Sequence, residues 1–493
     1  MKPLTRSLLS SLLAFSAPAF TLHAQAPSGG DPFVKGSPTS PAAEKGKAPD
    51  PGNCLLVMEV YSLDESAAAA ILDSERSSAA RYRRVTDLAG AGKARLEILT
   101  ALATRYGQRA NSESVDEVRY PMGFIPPQTQ PDIPTVEPWT MRRVGDTIEF
   151  EPVILPDGRT FDVNLAPTRV CLAGFRDIGS TGESAVFQPQ FTSQKMTLMA
   201  GMTDGEPKFI GTLSPPTTVG IGNGAAVSQV WLAFIHMVLQ KPGPVAAPRP
   251  KAAVSSEVHL EYTCYSLDRA LAREILLAPA VSPAPWEKVQ TLVGDKRARL
   301  EHVISAIGRS AQRTSSDETQ EFFYATESNR TQWTGTTQHN RRTVFSGPPP
   351  EKQDAPSAKE GGKAATITDT VETNSTVPNT ERIPGSATAF EARYLGVSLQ
   401  VEPVVSADGS LVDLNEQFQL SAYLGDLKAT GAGASYPPQP IFQTRKLTTT
   451  QEIPMGRSVL VGTLNPPVAD GVSERTDAGR TWLVFVRATP SEP

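Results

Sequence analysis

Tyr61-Ser62-Leu63-Asp64 returns later in this chain as Tyr265-Ser266-Leu267-Asp268. Ala94-Arg95-Leu96-Glu97 returns as Ala298-Arg299-Leu300-Glu301, and Gln108-Arg109 as Gln312-Arg313, all at one spacing of 204 positions. Past Tyr120 and Tyr324 the spacing becomes 251. It then holds from Gly145 and Gly396 through Asp157-Gly158 and Asp408-Gly409, Gly205 and Gly456, and Gly211 and Gly462, to Trp231 and Trp482. The second copy therefore carries 47 extra residues between two segments that keep register. A period this long predicts two tandem domains rather than a solenoid, whose repeats run to roughly 20–50 residues.

Around the copies, composition shifts mark the boundaries. Residues 1–26 place Lys2 and Arg6 before an apolar stretch from Leu8 to Phe15 and end in small residues, the layout of a secretory signal peptide. Residues 27–53, rich in Pro, Ser, Gly and Lys, predict a disordered leader. The first copy spans 54–240 and the second 257–489, with a proline- and alanine-rich linker at 241–256. Within the second copy, 325–389 is dominated by Thr, Ser, Gly, Glu and Lys and predicts a disordered insertion. The formal net charge of −5 offers no basic excess for neutralising phosphates, so nucleic acid is not an expected partner. Three cysteines, Cys54, Cys171 and Cys264, are an odd number at non-equivalent positions and encode no disulfide framework.

Each copy opens on a strand pattern, Leu55 to Tyr61 and Val258 to Tyr265. The spacing of Leu96, Leu99, Leu102, Ala103 and Tyr106, matched by Leu300, Val303, Ala306 and Ile307, predicts the one main helix of each copy. Alternation returns from Gln108 to Tyr120 and from Gln312 to Tyr324. It is clearest where Ile148 and Phe150, or Leu399 and Val401, point one way and their neighbours the other. Asp157-Gly158 and Asp408-Gly409 suit the tight turn of a hairpin whose return strands carry Phe161 and Val163, or Val412 and Leu414. A second hairpin is expected around Gly205 and Gly456, with Gly211 and Gly462 as further turn positions. The fold class is α+β and β-rich: two domains of antiparallel hairpins.

Chemistry-bearing motifs are sparse. The five histidines show no HExxH spacing, no Gly-x-Ser-x-Gly elbow occurs, and Gly220-Ile221-Gly222-Asn223-Gly224 lacks the lysine and helix of a phosphate loop. The repeated acids Asp157 and Asp162, or Asp408 and Asp413, fit turn duty. No catalytic residue, metal site or cofactor is expected. Arg109 and Glu117, repeated as Arg313 and Glu321, lie an even number of positions apart, on one side of a strand, and are candidates for a subunit interface.

These residues carry a resemblance. Gly396-Val397-Ser398-Leu399-Gln400-Val401-Glu402-Pro403, the Asp408-Gly409 turn with Asp413 and Asn415, Phe442 to Thr449, and Gly456 to Leu464 resemble the C-terminal β-domain of bacterial secretins, the outer-membrane channels of type II and type III secretion and of type IV pili. The first copy follows more weakly with Gly145 to Pro152, Asp157-Gly158, Phe191 to Thr197 and Gly205 to Leu213. The resemblance implies a non-enzymatic periplasmic or outer-membrane protein, part of or accessory to a secretion or pilus-type system. The implied partners are further copies of itself, other secretin subunits, secretion or pilus components, and the outer membrane. The family's closing Pro-Leu-Leu-Gly-x-Ile-Pro segment has no counterpart, since Gly462-Thr463-Leu464 runs into Asn465-Pro466-Pro467, and no ring-building domains precede the first copy. Those departures support an alternative, a stand-alone periplasmic scaffold module without channel function.

Overall fold

Eleven of the twelve residues of the first strand, β1 (Asn53–Asp64), are buried, so both of its faces are covered. The computed structural model shows how. It describes residues 52–125, 135–136, 139–177, 187–213, 229–240, 257–278, 284–328, 332–333, 336–346, 368–378, 382–383, 387–427, 439–466 and 479–491. The expected signal peptide, nearly all of the leader, the linker and the Gly220–Gly224 loop lie outside them.

After β1 come α1 (Glu65–Ser74), α2 (Ser78–Gly90), β2 (Ala94–Arg105), β3 (Ala110–Pro121), β4 (Phe124–Ile125), β5 (Thr135–Val136), β6 (Trp139–Ile154), β7 (Thr160–Asp177), β8 (Phe187–Lys195), β9 (Leu198–Thr203), β10 (Lys208–Leu213) and β11 (Gln229–Gln240). The second half continues with β12 (Glu257–Asp268), α3 (Arg269–Leu276), α4 (Pro285–Gly294), β13 (Ala298–Arg309), β14 (Thr314–Ser328), β15 (Gln332–Trp333), β16 (Thr336–Ser346), β17 (Thr368–Pro378), β18 (Arg382–Ile383), β19 (Ala387–Val405), β20 (Leu411–Leu427), β21 (Gln439–Pro454), β22 (Ser458–Leu464) and β23 (Arg480–Pro490).

Two antiparallel sheets dominate. One runs β10-β11-β1-β2-β22-β23-β12-β13, the other β14-β19-β20-β21-β3-β6-β7-β8, with β9 also on β7. Each sheet draws strands from both sequence repeats, so the halves do not own separate sheets, and all the described residues lie in one compact unit. Residues of both sheets meet in one apolar core, including Leu56 and Val60 from the first and Phe150, Phe161, Leu399 and Leu414 from the second. Against the other face of the first sheet lie the helices, through Ala68, Ile71 and Val85 in one half and Ala272, Ile275 and Val289 in the other. A strand between two such layers reads as a continuous apolar run rather than an alternation.

That layering corrects the helix expectation. Leu96 to Arg105 and Leu300 to Arg309 are strands, β2 and β13, and each half has two short helices just upstream. A short, mostly apolar run fits helix and buried strand equally, and Thr100 and Ile98 favour the strand. Ala67 to Ala70 was the helical signal, since alanine has the highest intrinsic helix propensity.

The segment at Gly205 and Gly456 is not a hairpin. β9 belongs with β7 in one sheet and β10 with β11 in the other, as β21 pairs with β20 and β22 with β23. The chain turns there from one layer to the other, and the amides of Gly205 and Gly456 donate to Met237 and Ala488 at 2.7 and 2.6 Å. Gly211 and Gly462 sit at register shifts within strands rather than in turns. Within 325–389, where disorder was expected, β16 pairs with β17 through Thr336↔Pro378 to Ser346↔Thr368. Thr- and Val-rich segments such as these form ladders because β-branched side chains suit the extended backbone.

The Asp-Gly hairpins are present: Gly158 and Gly409 have φ of 68° and 69°. Asp157 accepts from the amides of Arg159 and Thr160, and Asp408 from Ser406 and Ser410, whose hydrogen bonds hold its carboxyl at about 2. Gly145, at φ 141°, crosses so close to β3 that a Cβ there would lie 2.2 Å from the Ser114 carbonyl oxygen. Gly145→Ala is expected to lower stability by about 2 kcal/mol or more. An unchanged urea midpoint would show that this crossing is not constrained.

Between the sheets of the second half lies one buried acid. Tyr262 donates to Glu416 Oε2, and Gln451 Nε2 donates to Oε1 at 2.6 Å. Burial pushes the Glu416 carboxyl up to about 7 against the opposing pull of these two hydrogen bonds. Because its folded value lies above its unfolded one, its contribution to stability is complete below about pH 4.5 and declines as the pH rises through 7. Glu416→Gln should therefore gain on the native chain between pH 5 and pH 8, by on the order of 3 kcal/mol. Urea unfolding at both values checks this, and a pH-independent difference would contradict it.

Candidate functional site

Where the two halves meet, β3 of the first lies beside β21 of the second, in register from Asn111↔Thr448 to Glu117↔Phe442. In the other sheet β2 meets β22 at Leu102↔Gly462. Gly462 permits this approach, since a Cβ there would lie 2.8 Å from the Ala101 carbonyl oxygen. Thr463 bridges the remaining gap: its hydroxyl lies 2.7 Å from the Ala101 amide and 3.4 Å from the Ala101 carbonyl.

At the centre of this joint sits Arg445, a fully buried arginine. Its Nε donates to the Asn465 carbonyl and its Nη1 to the Val115 carbonyl, both at 2.6 Å, and its Nη2 donates to Asp116 Oδ1 at 3.0 Å. Burial pulls the Arg445 guanidinium below its ordinary range while the Asp116 carboxylate pulls it back up. One residue along, Glu117 accepts from Arg393 Nη2 at 2.6 Å and from Thr444 Oγ1 at 3.1 Å. Arg105 pairs with Asp413 across the same joint.

A second polar cluster joins the halves on the helical side. Glu59 of β1 is fully buried, and Arg273 of α3 reaches across to it. Tyr61 and Tyr82 donate to it at 2.8 and 2.6 Å, and His236 Nε2 lies 3.1 Å away. Burial works to raise the Glu59 carboxyl, but the His236 hydrogen bond and the Arg273 charge outweigh it and hold the group below its usual range. Arg269 of the same helix donates to the carbonyls of Leu96 and Glu97 at 3.0 and 2.7 Å, satisfying acceptors on β2.

The structure separates the charged pairs singled out in the sequence. Arg109 lies just before β3 and pairs with Glu149 at 3.2 Å, whereas Glu117 is buried in the joint with Arg393. Arg313 and Glu321, their second-copy equivalents, are exposed. Asp157, Gly158, Asp408 and Gly409 occupy the hairpin tips, Gly205 and Gly456 the interlayer turns, and Gly211 and Gly462 the strand irregularities. Trp231 and Trp482, the matched tryptophans of the repeat, are in the intersheet core.

Sequence reasoning missed Glu59, Asp116, Arg273 and Arg445. A signal for them was present: each breaks the repeat, facing Thr263, Gln320, Ala69 and Gln194 at the equivalent positions. A charge kept in one copy alone marks something that copy does and its twin does not.

No protein-family model matches the chain, and no curated protein matches it. Among solved structures it is similar to the type II secretin GspD of enteropathogenic Escherichia coli, at 12% identity and a TM-score of 0.17 over 39% of this chain and 69% of that one. It is also similar to InvG, the secretin of the Salmonella SPI-1 type III secretion injectisome, at 10% identity and a TM-score of 0.21 over 66% of this chain and 88% of that one.

Removing one partner of the central pair strands the other in a dry site. Arg445→Met should cost on the order of 3–5 kcal/mol, and the double variant with Asp116→Leu should recover most of that loss. Denaturant unfolding of both tests it, and a single variant as stable as the native chain would show that the pair is not buried as described.

Proposed function

We propose that the chain is a non-enzymatic, secretin-like envelope protein whose two repeats act as neighbouring structural units of a β-sheet wall, in or beside a protein secretion or pilus-type system. The observation that carries this reading is the joint itself. The repeats meet edge to edge through non-equivalent edges, so that both sheets run on from one repeat into the next. Strand addition at an edge is how β-structures extend and how their open backbone groups are satisfied. The secretin-like order of motifs in both copies and the export-type first residues support an envelope location, periplasmic or outer-membrane. Among the described residues no helix is long and apolar enough to cross a membrane, which says nothing about strands.

The non-enzymatic part of the proposal is supported by what the buried ionisable groups do. Both oxygens of Glu59 are taken up by neighbours that tie helices to sheet, and Arg445 is spent on carbonyls and Asp116.

One observation favours the alternative, a periplasmic scaffold without a channel. Asn465 follows Leu464 where the secretin pattern would continue into its apolar closing segment. Here it is fastened into the joint, its amide donating to Ser114 Oγ at 2.9 Å and its carbonyl accepting from Arg445.

Fractionation of the chain's own cell envelope tests the proposal. The channel-associated reading predicts that the chain sediments with outer membranes and is recovered with secretion or pilus components. Release as a soluble periplasmic protein would contradict that reading and leave the scaffold.

A further inference from the structure

The strands that join the halves have counterparts at the two ends of the molecule. β2 and β3 of the first repeat meet β21 and β22 of the second; their equivalents are β13 and β14 on one side and β8, β9 and β10 on the other. Among the described residues, these equivalents are the ends of both sheets. We propose that copies of this chain join head to tail, the β13–β14 edge of one docking on the β8–β10 edge of the next in the geometry of the internal joint. The inference deepens the proposed function by naming the partner, a second copy of this chain.

The apolar side chains show what is left uncovered. On β2, Leu99 and Ala103 are fully buried, and both pack in a cluster with Ala272, Ile275 and Leu276 of α3, across the joint. Their counterparts on β13, Val303 and Ile307, are 45% and 59% exposed, and Leu300 beside them is 46% exposed. A row of large apolar side chains on a sheet edge is a docking surface in waiting.

Charge pairs across the internal joint are repeated at the free edges. Arg105–Asp413 has its counterpart in Arg309 on the β13 edge and Asp162 on β7 behind the opposite edge. Lys446, one strand position beyond Arg445 and opposite Glu113, corresponds to Lys195 and Asp317. Most telling is the receptor for Glu117. Inside the molecule Arg393 donates to Thr444 Oγ1 at 3.2 Å while both hold that carboxylate. At the free edge Arg142 donates to Ser193 Oγ at 3.0 Å in the same arrangement, and Glu321, the counterpart of Glu117, stands exposed on the opposite end. The receptor is already assembled on one edge and its carboxylate is presented on the other.

The centre of the joint differs, and the difference sets the order. Where the internal joint buries Arg445 against Asp116, the free edges bring Gln194 to Gln320; where it buries Glu59 against Arg273, they bring Ala69 to Thr263. A β3 edge docked on a β8 edge would bury Asp116 opposite Gln194, a charge without its counter-charge. The charged centre therefore belongs to the joint within a chain and the neutral centre to the joint between chains, so first and second repeats alternate along the assembly. Because the two edges are different surfaces, one such contact leaves both ends open for the next copy.

A charge exchange tests the inference with the purified full chain, by light scattering and sedimentation over a range of concentrations. Glu321→Arg and Arg142→Glu each place like charges in the chain-to-chain joint and leave the internal one untouched, so each variant should associate roughly tenfold or more weakly than the native chain. Mixed one to one, they restore opposite charges at every contact, and association should return. Circular dichroism confirms that each variant is folded. A native chain that stays monomeric, or variants that associate as it does, overturns the proposal. A chain that self-associates yet is absent from envelope fractions would sink the proposed location and leave the joint. One that reaches the envelope but does not self-associate would sink the joint and leave the location.

Discussion

An open sheet edge is a row of unsatisfied backbone donors and acceptors, and this molecule closes its two innermost edges with its own second copy. Everything around the seam follows from that. The ladder from Asn111↔Thr448 to Glu117↔Phe442 fixes how the repeats stand. Thr463 and Arg269 reach across to β2 carbonyls beside the shorter β2–β22 contact, and Arg445 to the carbonyl of Val115 on β3. The Glu59 cluster then ties the helical layer of one half to that of the other.

The two layers of polar contact differ in kind. Arg105 with Asp413 is part-exposed on both sides, where an ion pair chooses a partner more than it strengthens the contact. Arg445 and Asp116 are both fully buried, and Glu59 and Glu117 are buried beside part-exposed arginines, so removing Arg445, Arg273 or Arg393 leaves a carboxylate in a dry site. Backbone bonds alone set no register; a one-residue slip already fails here because it turns every buried side chain to the other face. Buried charges at fixed positions make the seam intolerant of any slip, because any other register parts them from their counter-charges.

Much of the layout was legible in the sequence. The repeat spacings located equivalent strands, alternation at Ile148 and Phe150 identified a strand buried on one face, and Asp157-Gly158 identified a hairpin. Leu96 to Tyr106 misled because a strand covered on both faces loses the two-residue period that distinguishes it from a helix. The turn at Gly205 misled because local sequence reports a change of direction and not the sheet to which the next strand belongs. The seam itself was hidden for a different reason. Its central residues are the ones at which the copies disagree, and reading a repeat by its matches passes over them.

The seam is most directly tested by native-state hydrogen exchange of the dilute chain, comparing the β3 amides that face β21 with the β14 amides that face outward. If the repeats share a continuous sheet, the β3 amides between Asn111 and Glu117 exchange only on global unfolding, while the outward β14 amides exchange as freely as those of any bare edge. Equal, rapid exchange in both strands would show that the two repeats stand apart in solution and that the seam does not form.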